Sequence, residues 1–381
     1  MTSGAEVIVI GAGIVGASVA RELAVRGVSV RLVDRIGVAR GTTGLGEGNV
    51  VLADKVPGPE LDLAIFGQAL YDELDDRLGE TIRVRRKGSL VLHETTDDLA
   101  AARRTAAAMR AAGVEARTVA GDELARLEPH LASDLAGATL FPRDVQVDAV
   151  AVARALAAEA EKAGARITVP RTVRSIVVRG GRASGVETDR GEIGGDAVVL
   201  AAGAWSAELA ETAGIRLPVA PRKGQLVLTE PQPRLVGRKL LDGSYAAGVA
   251  SAGAALIVST VIETATDGGV LVGSSRELRG FDTDPDARVT AAILQRAVRF
   301  VPALAALGVE REWAGLRPYL PDHLPAIGAS SGVPGLWIAT GHEGAGVGLG
   351  PATGRVLAQA LCGETTAVDL AAFAPDRFGT V

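Results

Sequence analysis

Residues Val7-Ile8-Val9-Ile10-Gly11-Ala12-Gly13-Ile14-Val15-Gly16 decide how the rest of the chain is read. The first four are apolar and β-branched without a break, the composition of a strand buried on both faces. Glycines follow at G-x-G-x-x-G spacing, and Ala17 to Arg26 then reads as a helix closed by Gly27. Val28 to Val33 makes a second strand that ends at Asp34. Strand, glycine turn, helix, strand and terminal acid together read as a dinucleotide-binding βαβ unit. Gly11 permits the tight turn, Gly13 lets backbone approach a pyrophosphate, and Gly16 lets helix pack on strand. The N–H groups at the helix start point at phosphate, and Asp34 is placed to accept from ribose hydroxyls.

The whole chain has 381 residues, too long for one ordinary core, and predicts two domains or a large α/β body with an insertion. A hydrophobic content of 48% supplies that core and excludes global disorder. Net charge is −5, and no basic run is interleaved with aromatics, so nucleic acid is not expected as a partner. Cys362 is the only cysteine, which excludes an internal disulfide and fits a reducing cytosol. His93, His130, His323 and His342 are scattered, with no pair at metal-ligand spacing, so no metal is expected. The apolar run Val7 to Ala20 is broken by glycines, lacks a charged segment before it and is too short to cross a bilayer. A cytoplasmic protein without a transmembrane segment is expected.

Helices are predicted over Glu60–Leu78, Leu99–Ala112, Val150–Ala163, Ala287–Phe300 and Pro351–Leu361, the last with proline at its start. Strands are predicted over Val84–His93, Arg166–Val169, Arg174–Val178, Asp196–Ala202 and Leu336–Thr340, with a hairpin at Gly180-Gly181. Between Val219 and Glu277 apolar and polar residues alternate and Gly and Pro punctuate, as in a mostly antiparallel sheet. The predicted fold is therefore α/β: a Rossmann-type dinucleotide-binding domain from residues 1–84, 142–217 and 323–381, interleaved with an antiparallel-sheet substrate domain from 85–141 and 218–322.

Two glycine-rich loops stand at opposite ends of the chain. Arg40-Gly41-Thr42-Thr43-Gly44-Leu45-Gly46-Glu47-Gly48-Asn49 follows the second strand, and Thr340 to Gly350 joins the last strand to the last helix. Both offer backbone N–H groups, and together they suggest one extended dinucleotide gripped along its length.

At these residues the sequence resembles a known group. "VIVIGAGIVGASVARELAVRGVSVRLVDR", "GTTGLGEGN", "VVLAAGAWS", "GLRPYLPDHLPAIG" and "TGHEGAGVGLGPATG" occur in an order similar to that of the FAD-dependent amino-acid oxidase and dehydrogenase superfamily, with its glycine oxidase, D-amino-acid dehydrogenase and opine or hydroxyproline dehydrogenase branches nearest. The resemblance implies FAD, bound with its pyrophosphate on Gly11, Ala12, Gly13, Ile14, Val15 and Gly16 and its ribose on Asp34. Asp34 is shorter than the glutamate usual there. Arg35 would flank the adenine and Val173 read its edge. Thr42 and Thr43 would contact phosphate, and Gly46, Glu47, Gly48 and Asn49 would pass near the flavin. Ala202, Gly203 and Trp205 would pack beside it. Gly344, Ala345, Gly346 and Val347 would present N–H groups to the flavin C2 carbonyl. Some members attach flavin through Cys or His; Cys362 lies past the matching position and the loop after Asp34 has no histidine, so noncovalent FAD is expected.

The resemblance also gives Arg317 of "GLRP" a role as the bidentate partner of a substrate carboxylate. Pro318 fixes its own φ and keeps Arg317 extended. The reaction implied is hydride removal from the α-carbon of a small amino acid or N-substituted amino acid, giving an imine that water hydrolyses to a 2-oxo acid. Tyr245, Tyr319 and His342 are further candidates for the catalytic pocket. His342 and Glu343 are read either as orienting water or the amine or as capping the next helix. Lys223 is read as a solvated or phosphate-side residue, Gln225 as lying at the domain crossing, and Ser274 and Ser275 as reaching toward the pocket. Two other readings stay open: oxidation of a 2-hydroxy acid, and a flavoprotein subunit that scaffolds a redox complex. Partners are thus a carboxylate-bearing amine, an electron acceptor (oxygen, quinone or a protein) and other copies or subunits in a hetero- or homo-oligomer.

Overall fold

A computed structural model describes residues 6–232, 235–244, 256–265 and 268–379. The opening stretch folds as its pattern requires. Glu6–Ile10 is a strand, Ile14–Ala24 the helix and Ser29–Val33 the next strand, parallel to the first with Val7 opposite Val30. These strands are central in a six-stranded sheet whose order is Ala326–Ala329, Leu336–Thr340, Ala197–Leu200, Glu6–Ile10, Ser29–Val33 and Arg166–Thr168. Only the Ala326–Ala329 edge runs antiparallel. Val7, Ile8, Val9, Val198, Val199 and Leu200 are wholly buried, since both faces of this sheet are covered. One face carries the Ile14–Ala24, Ala149–Lys162 and Gly346–Cys362 helices; the other meets a smaller sheet of Val173–Arg179, Arg182–Thr188 and Gly191–Gly194.

The second large sheet has eight strands: Val309–Tyr319, Ala220–Pro231, Gly269–Leu278, Ile257–Thr264, Lys239–Asp242, Ser89–His93, Gly137–Phe141 and Arg117–Val119. Its pairs are antiparallel except Lys239–Asp242 with Ser89–His93. The helix Ala287–Phe300, capped by the Asp286 side chain, buries Val289, Ile293, Ala297 and Phe300 against one face. The other face is turned toward the first sheet.

Two elements depart from the sequence expectation. The Val84–His93 strand begins only at Ser89, because Gly88 takes φ +69° and Arg85 pairs instead with Gln146. The last helix starts at Gly346, not at Pro351, so the proline stands inside it. Pro351 has no N–H for the carbonyl of Val347 four residues earlier. The Tyr71 hydroxyl donates to that carbonyl at 2.8 Å instead. A tertiary contact from another helix thus satisfies the group that proline orphans, which no local pattern announces.

Candidate functional site

The site begins at the turn after the first strand. Gly11 takes φ +102°, and a Cβ there would lie 2.4 Å from the Ala201 carbonyl oxygen. A Cβ at Gly16 would lie 1.8 Å from the Gly11 oxygen, so the helix sits directly on the turn. Gly13 caps the Ile14–Ala24 helix without a side-chain hydrogen bond, and no acidic residue stands in its first turn. The Ile14 N–H is met by Thr43 Oγ1 at 3.0 Å. Asp34 accepts from the backbone N–H groups of Ala12 (2.9 Å), Ile36 (2.8 Å) and Gly37 (2.9 Å). A carboxylate has about four acceptor positions, so one is left for a ribose hydroxyl.

Gly11, Gly13, Ile14, Val15, Asp34, Arg35, Thr42, Thr43, Val173, Ala202, Gly203, Trp205 and His342 line a cavity of about 370 Å³. Arg35 lies flat over the Trp205 ring, 3.8 Å from its centroid, and Trp205 stacks on Phe281. Ala12 and Gly16 stay behind this wall. Gly48 stays behind too, because a Cβ there would meet the Val147 carbonyl oxygen at 1.7 Å; this glycine serves chain packing rather than the lining.

A second cavity of about 110 Å³ joins the first and shares Ile14, Thr42, Thr43, Glu343 and Gly346 with it. Its walls are Gly46, Glu47 and Asn49 on one side and Gly344, Ala345, Gly346 and Val347 on the other, with Gly224, Gly315 and Arg317 on the eight-stranded sheet. The Gly346–Cys362 helix begins here, also without a capping side chain or an acid in its first turn. The two helix N-termini, neither capped by the side chain of its own N-cap residue and each a partial positive charge, therefore open on one continuous slot.

Arg317 stands on the edge strand of the sheet, opposite Arg222. Its side chain crosses the neighbouring strand at Gly224, and NH1 donates to the Ser275 carbonyl on the strand beyond at 2.9 Å. A Cβ at residue 224 would lie 1.9 Å from that NH1, so only glycine leaves the path clear. Glu343, at φ +46°, binds Arg222 NH1 through Oε1 (2.6 Å) and His323 Nδ1 through Oε2 (3.2 Å). Burial pushes the Glu343 carboxyl up, but the His323 hydrogen bond and the charges of Arg222 and Arg317 outweigh it, and the group ends below its ordinary value.

Several candidates lie outside the cavities or serve the fold instead. Tyr319 lines neither cavity; its ring packs edge-on against His323 and beneath Arg222, so it is a wall of the Glu343 network and not a pocket residue. His342 holds Thr353 Oγ1 through Nε2 at 2.9 Å, and burial pushes its imidazole down to about 3, so it is neutral and fixes the start of the last helix. Lys223 is not solvated: it is buried and gives its ammonium to Asp282 (2.8 Å) and the Asp284 carbonyl. Tyr245 lies outside the described residues. Cys362 is partly buried at the far end of its helix and lines neither cavity.

Sequence reasoning missed Gly224, Arg222, Lys55 and Lys239. Lys55 lines the second cavity between Asp54 (3.0 Å) and Glu60 (3.2 Å); burial lowers its pKa, the two acids raise it further, and it ends well above the usual lysine value. Lys239 pairs with Glu47 at 2.5 Å. A glycine inside the apolar-polar alternation of "RKGQL" was the available signal for Gly224, since such a glycine marks a close approach.

The slot suits FAD. Its backbone-lined half has a helix N-terminus that glycine leaves unobstructed, an acid with one acceptor position to spare and a flat arginine-tryptophan wall; its other half ends at a second helix N-terminus. Comparison with known proteins agrees. Residues 6–360 match the FAD dependent oxidoreductase family designated DAO. Glycine oxidase of Pseudomonas aeruginosa is 34% identical over 381 aligned positions, covering 97% of this chain and 98% of that one. D-amino acid dehydrogenase of Rhizorhabdus wittichii is 32% identical and covers 84% of this chain and 75% of its own. The crystal structure of glycine oxidase from Geobacillus kaustophilus superposes with a TM-score of 0.88 at 29% identity, over 98% of this chain and 99% of that one. The chain belongs to the FAD-dependent oxidoreductase family.

Proposed function

We propose that this enzyme oxidises the C–N bond of a small amino acid or N-substituted amino acid. The observation that carries the reading is the lie of Arg317 across Gly224, in the cavity that Gly344 and Val347 also line. A guanidinium fixed there presents two parallel donors to a carboxylate, and binding by both orients the α-carbon attached to it. Bound in the slot, FAD supplies the acceptor for the hydride that leaves this carbon. The amine enters neutral; as its C–H leaves with two electrons, the nitrogen lone pair forms the C=N bond, and the N–H proton passes to solvent. Water then adds to the imine, releasing a 2-oxo acid and ammonia or a primary amine. Arg317 holds the guest. The Glu343–Arg222 pair buttresses the loop that carries Gly344 to Val347. Both named relatives act on amino acids, which supports the substrate class.

Anaerobic mixing of the holoenzyme with D-, L- and N-methyl amino acids, and with 2-hydroxy acids as the competing class, tests this through bleaching of the flavin band. Amino acids are expected to reduce the flavin and hydroxy acids not to. Arg317→Leu is expected to keep bound FAD and lose reduction by at least about 10³-fold, the cost of removing a buried partner from a charged pair. Loss of FAD from that variant, or full reduction in it, would assign Arg317 to the fold.

A further inference from the structure

We propose that Thr42 is a positioning residue for Arg317: its hydroxyl fixes the peptide from which the arginine springs, and carboxylate binding depends on it. This rests on the assignment of Arg317 to the substrate carboxylate and adds the device that holds the arginine in place.

Arg317 stands on Val309–Tyr319, the edge strand of the eight-stranded sheet. The outer side of an edge strand has no further strand to meet its backbone groups. The short helix Thr42–Leu45 is tied to this strand twice. Thr42 Oγ1 donates to the Leu316 carbonyl at 2.7 Å, and Trp313 Nε1 donates to the Leu45 carbonyl at 2.9 Å. One bond runs from helix to strand and the other from strand to helix, so both ends of the helix are fixed. Between the two ties lies Gly315, where a Cβ would come within 3.1 Å of the Leu45 Cβ. Any other residue there would press helix and strand apart. The helix is also backed from behind, since a Cβ at Gly44 would lie 2.4 Å from the Ala39 oxygen. It is therefore a firm anchor for the strand.

The Leu316 carbonyl and the Arg317 N–H belong to one planar peptide unit. A hydrogen bond to that carbonyl holds the plane that ends at the Arg317 Cα. The tip of the side chain is held separately, where NH1 donates to the Ser275 carbonyl at 2.9 Å. Fixed at root and tip, the guanidinium keeps one attitude toward the cavity that it lines, and a carboxylate meets it already oriented.

The chemistry of the bond separates Thr42 from its neighbour. A hydroxyl has one proton to donate. A carbonyl has none, so the proton between Thr42 and Leu316 is that of Thr42 and is not available to a phosphate oxygen. Thr43 Oγ1 instead accepts from the Ile14 N–H at 3.0 Å, which leaves its own proton for an oxygen anion at that helix N-terminus. Both threonines line both cavities. Of the pair expected at phosphate, Thr42 is thus assigned to the substrate side and Thr43 to the cofactor side.

The test titrates sodium acetate, an unreactive carboxylate, into the holoenzyme and follows the flavin visible band, with flavin content per protein measured on the same samples. Thr42→Val is expected to keep its FAD and to bind acetate about 10-fold more weakly, the worth of one hydrogen bond. Thr42→Ser is expected to restore wild-type binding. Trp313→Phe, which keeps a ring but loses the N–H, is expected to weaken acetate by a smaller factor with FAD retained; it carries the test where Thr42→Val does not fold. Thr43→Val is expected to lower flavin content and leave the acetate affinity of the loaded fraction unchanged. Wild-type acetate binding in Thr42→Val, loss of its FAD, or a serine variant as weak as the valine one would overturn the proposal. Acetate binding lost in Arg317→Leu but intact in Thr42→Val removes Thr42 alone and leaves the reading of Arg317 standing. Acetate binding intact in Arg317→Leu removes both.

Discussion

The two cavities that meet at Thr42 and Glu343 are made of different material. The larger is built chiefly of backbone: the Gly11–Gly16 turn, the Thr43 hydroxyl on a helix N–H and Asp34 holding three backbone N–H groups. The turn and its acid come from one short βαβ stretch, so that part is set by local geometry, while Val173, Ala202, Gly203, Trp205 and His342 close the cavity from elsewhere in the chain. The smaller adds charged side chains, among them Glu47, Lys55, Lys239, Arg317 and Glu343, to its glycine and apolar lining, and one side of it is a sheet whose neighbouring strands are far apart in the chain. Arg317 reaches Ser275 across 42 positions, and Arg222 reaches Glu343 across 121. A backbone cradle can hold a part common to every catalytic cycle. A wall of side chains can be changed one residue at a time, and under the proposed function it is there that choice of substrate would reside.

The largest expected effect breaks the first region outright. Gly11→Ala places a Cβ 2.4 Å from the Ala201 oxygen on a backbone held at φ +102°. Strain of this kind costs about 1–3 kcal/mol before the overlap with a packed strand is counted. The protein is expected to purify colourless or unfolded, measured as the ratio of flavin to protein absorbance and as the melting temperature. A Gly11→Ala protein that stays yellow with an unchanged melting temperature would show that the turn is not the rigid part of the trough.

That rigidity is also why so much of the first region was legible. The fingerprint needs Gly11 for φ and Gly16 for contact, and both demands are written in residue type at fixed spacing. The last helix was legible but misplaced, because Pro351 argues for a helix start until Tyr71 is found holding the Val347 carbonyl. The second region was legible only in Arg317 and its proline. Tyr319 was assigned to the pocket from nearness in sequence, yet the sheet packs it under Arg222 and His323. Lys223 read as a surface residue because lysines usually are; Asp282 and the Asp284 carbonyl make its burial tolerable. Gly224 matters only through a side chain two strands wide, and no local pattern contains that.

Gly224 is the place to break the second region without touching the first. Gly224→Ala puts a methyl group 1.9 Å from Arg317 NH1, and the guanidinium must lift off the Ser275 carbonyl. FAD is expected to remain, since Gly224 belongs to the smaller cavity alone. Reduction by substrate is expected to fall by about 10²-fold, the cost of displacing a positioning group by an ångström or so. Rapid mixing with substrate under nitrogen measures it, with flavin content as the control. Loss of colour along with rate would mean that the two regions are coupled through this strand.

The smallest effect separates the regions by the sign of a pH slope. Asp144 belongs to the sheet side, where its carboxylate accepts from Ser89 Oγ (2.5 Å) and the Leu52 N–H (2.8 Å). Burial pushes it up to about 7 against the pull of those donors. His342 belongs to the trough, where burial pushes its imidazole down to about 3. In the fold both are neutral near pH 6, but their reasons are opposite. The unfolded chain ionises Asp144 above its ordinary value near 4, so the stability this group contributes is complete in acid and is lost as pH climbs through 7. The unfolded chain protonates His342 below about 6.5, so its contribution is complete above that value and is lost as pH falls toward 3. Between pH 5 and 7 each amounts to about 2 kcal/mol. Urea unfolding of the wild type against Asp144→Asn is therefore expected to show the wild type losing ground as pH rises. The same comparison with His342→Gln is expected to show it gaining ground. Parallel slopes for the two variants would mean that one of these groups is charged in the fold. For Asp144 the Ser89 and Leu52 donors would then outweigh burial; for His342 a proton on the imidazole would set a positive charge at the start of the last helix, where it would repel that helix's own N-terminus.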